Sequence, residues 1–287
     1  MLLVGRLLVA FCAFLHLPEA CLGYNVRRIL PRRASLHNRA FVRFLFRRLW
    51  PYHVVGSEYL PSKGPAIVVA NHASYLDGLL LYSLLPVEPR FVVWAQHYEA
   101  PVLGWVYRHL DAIPVDGWRE GVPPIGQDAY RAACRHLQSG GVLAVFPEGG
   151  RTPDGRFLRW RPGAARLALT TGAPLVPLTI NGLFEAWPMY CRWPRRHPVE
   201  VVVHPPVSPE PWRGVRRRLA AAQLTRYVRD IVAAAYRLPR PQCQPSPTWE
   251  NPYLASDDPL VQAALDDDPP HYGVLVGEHV LAGERGD

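Results

Sequence analysis

Ala66-Ile-Val-Val-Ala-Asn71-His72-Ala-Ser-Tyr-Leu-Asp77-Gly78, residues 66–78, opens on five apolar residues and breaks into a polar loop that leads into a stretch of helical length over residues 75–85. A short apolar run bounded by polar residues reads as a buried strand, so this segment reads as strand, loop and helix. The same alternation continues from residue 54 to about 205. Apolar runs lie at 66–70, 91–94, 112–115, 142–146, 175–180 and 199–203, and segments of helical length at 130–138 and 164–171 fall between them. Strands alternating with helices predict an α/β fold with a mixed, largely parallel sheet flanked by helices. A long basic helix is predicted over residues 213–237, with Leu219, Leu224, Tyr227, Val228 and Ile231 available for packing.

Upstream of this alternation, the first 22 residues are apolar apart from Arg6, His16 and Glu19, a length near the lower limit for a membrane span. Three readings compete. A cleaved signal peptide has only Ala20 as a small residue before a cut; a single span would have Arg27, Arg28, Arg32 and Arg33 to hold the following chain in the cytoplasm; a monotopic anchor would lie in one leaflet. Arg39, Arg43 and Arg47 favour the last reading, because a spacing of four puts them on one helical stripe opposite Phe41, Phe44, Leu45 and Trp50, a pattern suited to a membrane interface. The competing reading is an amphipathic helix packed on the body with its arginines outward. The expected organisation is an N-terminal helical membrane anchor over residues 1–50, an α/β domain over 51–238, and an acidic, proline-rich, flexible tail over 239–287.

At 287 residues and 49% hydrophobic content the chain is long enough to bury a core, which excludes a fibrous or wholly disordered protein. Charge divides it unevenly. Residues 1–240 hold 31 basic and 15 acidic side chains, a net of +16, whereas nine acids face Arg285 alone from residue 241 onward. A body that basic is drawn to polyanions. No helix-turn-helix, zinc-finger or RNA-binding aromatic signature is present, so the expected polyanion is an anionic membrane surface and not nucleic acid. Lys63 is the sole lysine, and an arginine bias accompanied by 31 prolines carries no function by itself. Cys12, Cys21, Cys134, Cys191 and Cys243 are scattered and form no C-x-x-C pair, so neither a disulfide framework nor a zinc site is expected, and the body is placed in the cytoplasm.

His72 and Asp77 stand in the loop after the 66–70 strand, where α/β folds place their sites. Five residues of ideal helix correspond to about 500°, which would turn the two side chains about 140° apart, so a turn must intervene for them to meet. Ser74 supplies that turn if it caps the helix with Asp77 three positions on. The carboxylate would then fix one ring nitrogen of His72 and leave the other free to accept a hydroxyl proton. The alternative is that Asp77 only caps the helix and His72 is an incidental loop residue.

A second apolar strand ends in Phe146-Pro147-Glu148-Gly149-Gly150-Arg151-Thr152. Its glycines let backbone approach a ligand closely, and its Glu148 and Arg151 offer an acceptor and a bidentate donor, an arrangement that suits a phosphate. Alternatively this is a tight surface turn in which Glu148 and Arg151 satisfy each other.

Taken together, His-x4-Asp after one strand and Phe-Pro-Glu-Gly-x-Arg some seventy residues later resemble the glycerolipid acyltransferases, typified by bacterial 1-acylglycerol-3-phosphate acyltransferase. Asp111-Ala-Ile-Pro-Val-Asp116 and Gly172-Ala-Pro-Leu-Val-Pro177-Leu resemble that family's second and fourth blocks, so the likeness runs in order over roughly residues 54–205. The resemblance implies that His72 is the catalytic base and Asp77 its orienting partner. It further implies that Asn71, Asp116, Glu148, Gly149 and Arg151 serve substrate binding, and that Pro177 shapes the acyl pocket. The implied reaction moves an acyl group from acyl-CoA or acyl-carrier protein, a co-substrate, to a hydroxyl of a lysophospholipid, 1-acylglycerol-3-phosphate first among them. No metal or bound cofactor is implied, and the implied location is the cytoplasmic face of the inner or plasma membrane.

Two departures bear on the acceptor. The family's second block ends in an arginine where this chain has Gly117, with Arg119 two positions on as the available substitute, and Gly150 stands where the third block carries Thr or Ser. An amino-lipid or glycolipid acceptor therefore stays open, as does a non-catalytic basic protein docking on membranes or nucleic acid.

Overall fold

The computed structural model describes residues 36–95, 107–108, 110–115 and 127–239. Most of the expected anchor, Asp116 and Arg119, and the expected tail from residue 240 lie outside them. In chain order the elements are α1 (Leu36–Leu49), β1 (Tyr52–Val55), β2 (Ala66–Ala70), α2 (Asp77–Leu84), β3 (Arg90–Trp94), β4 (Ile113–Val115), α3 (Gln127–Gln138), β5 (Val142–Val145), α4 (Gly163–Thr171), β6 (Leu175–Asn181), α5 (Leu183–Ala186), β7 (Val199–Val203) and α6 (Arg217–Ala234).

Seven strands form one sheet in the order β1-β7-β6-β2-β5-β3-β4. Every pairing is parallel except β6 with β7. Because β2 runs parallel to both β5 and β6, and β7 runs against β6, the carboxyl ends of β2, β5 and β6 share one edge of the sheet with the amino ends of β7 and β1. The candidate site lies at this edge, termed the catalytic edge.

β2 lies at the centre, and each of its residues is buried. Alternation splits the core into two layers. On one face Ala66, Val68, Ala70, Val142, Ala144, Val176, Leu178 and Ile180 pack against Phe46 of α1 and against Leu76, Leu80 and Leu81 of the α2 segment. On the other, Ile67, Val69, Leu143 and Leu175 pack against Leu137 of α3, Leu167 of α4 and Leu224 of α6. A sheet covered by helices on both faces needs strands apolar on both faces, which is why the central strands read as continuous apolar runs.

Two expectations about helices change. The arginines of α1 do not form an outward stripe. Arg39 is only 5% exposed; its guanidinium donates to the carbonyls of Tyr82 and Leu85 and, at 3.4 Å, of Pro86, and Arg43 donates to Ser83 O at 2.7 Å. The last turn of α2 leaves carbonyls without intrahelical partners at its negative end, and the buried Arg39 and half-buried Arg43 of α1 meet them there. Phe44, expected on the apolar side, is instead 63% exposed, while Phe46 and Trp50 are buried. In α6 the buried stripe is Ala220, Leu224, Val228 and Val232, each one turn from the next, and Leu219 and Tyr227 face outward.

Short β1, with its pattern of alternate exposure, pairs with β7 at the sheet edge and was not legible as a strand from four residues. Cys134 is a free thiol, whereas Cys191 is disulfide-bonded, a bond that the scattered cysteines did not lead one to expect. Among the described residues no helix is long and apolar enough to cross a membrane.

Candidate active site

Parallel pairing of β2 with β5, Val69 opposite Val145, brings the two polar loops side by side at the catalytic edge. Strand β2 is extended past its end by Asn71, whose side chain donates to Ile180 O at 2.9 Å and accepts from Ile180 N at 2.8 Å. Both of its polar groups are thereby spent on the backbone of β6, and the loop leaves the sheet from a fixed point.

The loop closes on Asp77. Its Oδ2 accepts from His72 Nδ1 at 2.8 Å, from Ala73 N at 2.7 Å and from Ser74 N at 2.8 Å. Asp77 is fully buried, while the His72 side chain keeps 22% of its surface exposed. Two amides donate to the same oxygen, so Oδ2 acts as an acceptor toward the ring as well; Nδ1 carries the imidazole proton and Nε2 presents its lone pair. Burial holds the His72 imidazole below its ordinary basicity; Asp77 pulls in the opposite direction, and the charge of Arg151 adds to the lowering. The ring also stacks on Phe146, with centroids 4.2 Å apart.

The expected turn forms in altered shape. Helix α2 begins at Asp77 with Leu76 at its cap position, and Ser74 does not cap it. The Ser74 hydroxyl instead accepts weakly from Leu76 N at 3.3 Å and donates to Trp187 O at 2.8 Å. The carboxylate half of the capping box is present, since Asp77 reaches back to Ser74 N, but the serine half is diverted to the segment after α5.

Glu148 does not pair with Arg151 at the surface. It is buried, with Oε1 accepting from His72 N at 2.8 Å and Oε2 from Leu158 N at 2.9 Å. In return Thr152 N donates to His72 O at 2.9 Å. The two loops thus hold each other by reciprocal backbone bonds with Glu148 as the bracket. Burial pushes the Glu148 carboxyl up to about 8, against the two amides, which favour the ionised form because each oxygen is used as an acceptor. Gly149, at φ 71, donates to Phe146 O at 3.1 Å and makes the tight turn that an L side chain would strain.

Arg151 lies with its guanidinium carbon 3.6 Å from the centroid of the Tyr75 ring, a stacking that leaves the fork's edge available to an anion. Tyr75 in turn packs on Trp187, at 4.9 Å between centroids. The structure therefore gathers Asn71, His72, Asp77, Glu148, Gly149 and Arg151 at one place. Pro177 lies opposite Val69 within the ladder; its neighbours in alternation are Leu175, in the layer under α4 and α6, and Thr179, which donates to Val232 O of α6, so it belongs to the face away from Phe146 and α2. Phe146, Tyr75 and Trp187 were not singled out from sequence. The first two adjoin motif residues, which is the signal that marks them, but nothing local marks Trp187.

The Acyltransferase family matches residues 51–181. A 1-acyl-sn-glycerol-3-phosphate acyltransferase of Limnanthes alba is 31% identical over 163 residues, covering 56% of this chain and 56% of that protein. The chloroplastic enzyme of the same name from Brassica napus is 30% identical over 167 residues, 55% of this chain and 46% of that one. The chain therefore spans about half the length of these relatives. The crystal structure of the 1-acyl-sn-glycerophosphate acyltransferase from Thermotoga maritima superposes with a TM-score of 0.55 at 25% identity, over 80% of this chain and 94% of that one. With its His-Asp loop, its Glu148 bracket and an α/β sheet shared with that structure, the chain is similar to the glycerolipid acyltransferases over the segment that the Acyltransferase family matches.

Proposed function

We propose that this protein transfers an acyl group from a thioester, acyl-CoA or acyl-carrier protein, to the hydroxyl of a lysophospholipid, with 1-acylglycerol-3-phosphate the leading acceptor, and that it serves phospholipid synthesis. The observation that carries the reading is the His72–Asp77 bond, which leaves a neutral imidazole with Nε2 free. His72 Nε2 takes the acceptor's hydroxyl proton as that oxygen attacks the thioester carbonyl, and Asp77 stabilises the imidazolium. When the tetrahedral intermediate collapses, the carbon–sulfur bond breaks and the thiolate takes the proton back, giving an ester and a free thiol. No side chain is acylated and no cofactor is called for.

Arg151, fixed on Tyr75 beside His72, is the group placed to read a phosphate on the acceptor. The absence of an arginine at Gly117 favours one further reading, in which the acceptor is an amino-lipid or glycolipid. The basic body supports attachment to the cytoplasmic face of a membrane. The test is to incubate the purified full chain with both donor types and with lysophosphatidic acid, a neutral monoacylglycerol and amino- and glycolipid acceptors, identifying products by mass. Arg151→Ala should raise the KM for lysophosphatidic acid by about 30-fold or more while leaving that of the donor unchanged, and Arg151→Lys should recover only part. Equal efficiency on charged and neutral acceptors would remove the phosphate reading.

A further inference from the structure

Between α5 and β7 runs Pro188-Met-Tyr-Cys-Arg192-Trp193-Pro-Arg195-Arg196-His197-Pro198, eleven residues with three arginines and no acid. Arg192, Arg195 and Arg196 are exposed, and Trp193 keeps 51% of its surface in solvent with the Arg192 guanidinium 5.5 Å from its ring.

The segment is held at the catalytic edge from both ends. Ser74 of the His72 loop donates to Trp187 O, the Trp187 ring nitrogen donates to Cys191 O at 2.8 Å, and Trp187 packs on the Tyr75 that carries Arg151. From the other side, Trp50 at the end of α1 donates through its ring nitrogen to Arg195 O at 2.8 Å. That end of α1 brings exposed Arg47, Arg48 and Leu49 to the same edge.

We propose that residues 191–197, together with the end of α1, form a membrane-contact surface that takes the headgroups of anionic lipids and seats Trp193 among them. The proposal rests on the acyltransferase reading above. Three exposed arginines in a segment whose own sequence holds no acid match lipid phosphates, and a half-open indole between them matches the interfacial zone, where an aromatic body meets apolar chains and its polar edge stays wet. An acidic carrier protein would engage the arginines but leaves the indole unexplained. Two hydrogen bonds separate this surface from the His72 loop, so contact presents the active site to the lipid sheet in which the acceptor lies.

The test uses the full chain, wild type against Trp193→Ala and the triple variant Arg192→Gln, Arg195→Gln, Arg196→Gln, with acyl-CoA as donor. Each arginine near an anionic surface is worth about fivefold in association at low salt. The triple variant should therefore lose about tenfold or more in kcat/KM on lysophosphatidic acid embedded in phosphatidylglycerol–phosphatidylethanolamine vesicles. It should keep wild-type kcat/KM on a short-chain lysophosphatidic acid dispersed as monomers, and added salt should narrow the difference between variants on vesicles. An equal loss on both acceptors, no loss on either, or a loss seen only with a carrier-protein donor would overturn the proposal. If the wild type turns over neither acceptor, the acyl-transfer reading fails separately. The surface is then judged by quenching of tryptophan fluorescence with brominated lipid, where Trp193→Phe must lower the quenchable fraction for the contact to stand.

Discussion

His72 and Glu148 are opposite solutions to burial beside the same loop. Burial lowers the basicity of the imidazole, so the free base dominates at neutral pH and the ring is ready to accept a proton. The folded ring binds its proton less tightly than the unfolded one, so its contribution to stability is full above the ordinary imidazole value and is lost as pH falls. Activity has the same sign: kcat/KM should rise with pH through an inflection below 6.5, measured on a monomeric acceptor. His72→Ala should cost on the order of 10²–10⁴ in rate with unchanged circular dichroism, and Asp77→Asn should remain folded yet be severely impaired, because the amide does not stabilise an imidazolium. Glu148 acts through backbone. Glu148→Gln places an NH2 against one of two amide donors, and should cost about 1–3 kcal/mol in thermal unfolding. Of this site, spacing and chemistry admitted the partnership of His72 with Asp77 only through an intervening turn, and it was the resemblance that chose it over an incidental histidine. The engagement of Glu148 was not legible, because its partners are amides of His72 and Leu158, and every residue but proline has an amide.

At the scale of elements, an exposed-looking pattern concealed a cap. Arginines every fourth residue are compatible with a membrane stripe or a solvated face, and periodicity alone does not distinguish these from burial against another helix's carbonyls. What decides is that α2 ends at Leu84 with carbonyls unmet and that α1 passes that end. Arg39→Ala should therefore destabilise the fold by roughly 1.5–3 kcal/mol, read as a lower urea midpoint at unchanged slope. Apart from β1, the strands were legible almost to the residue, because short apolar runs are a strong signal. Helix α6 was legible in extent but shifted in face, since alanine fills the close approach at Ala220 and Ala221 where larger residues were expected.

For the whole molecule, the α/β class followed from alternation and the order of the motif blocks from the resemblance, but the strand order followed from neither, because pairing between distant segments leaves no local trace. Asp116 and Arg119, and the expectation of an anchor over residues 1–50, are judged by experiment on the full chain: it should stay with the membrane fraction after a high-salt wash, and release into solution would refute apolar anchoring. The position of β2 has a further consequence. His72 N meets Glu148 across 76 residues of sequence, and Asn71 meets Ile180 across 109. The strand that bears the catalytic loop is made early by the ribosome, yet both of its edges wait for segments not yet synthesised. Parallel pairing at such separations is slow, and until it is complete an apolar run with high β propensity stays open to other chains. The His72–Asp77 pair is local, but the loop that carries it is braced by Glu148 and Ile180 only when the sheet has closed around β2, so a chain stalled before β6 is expected to be both inactive and adhesive.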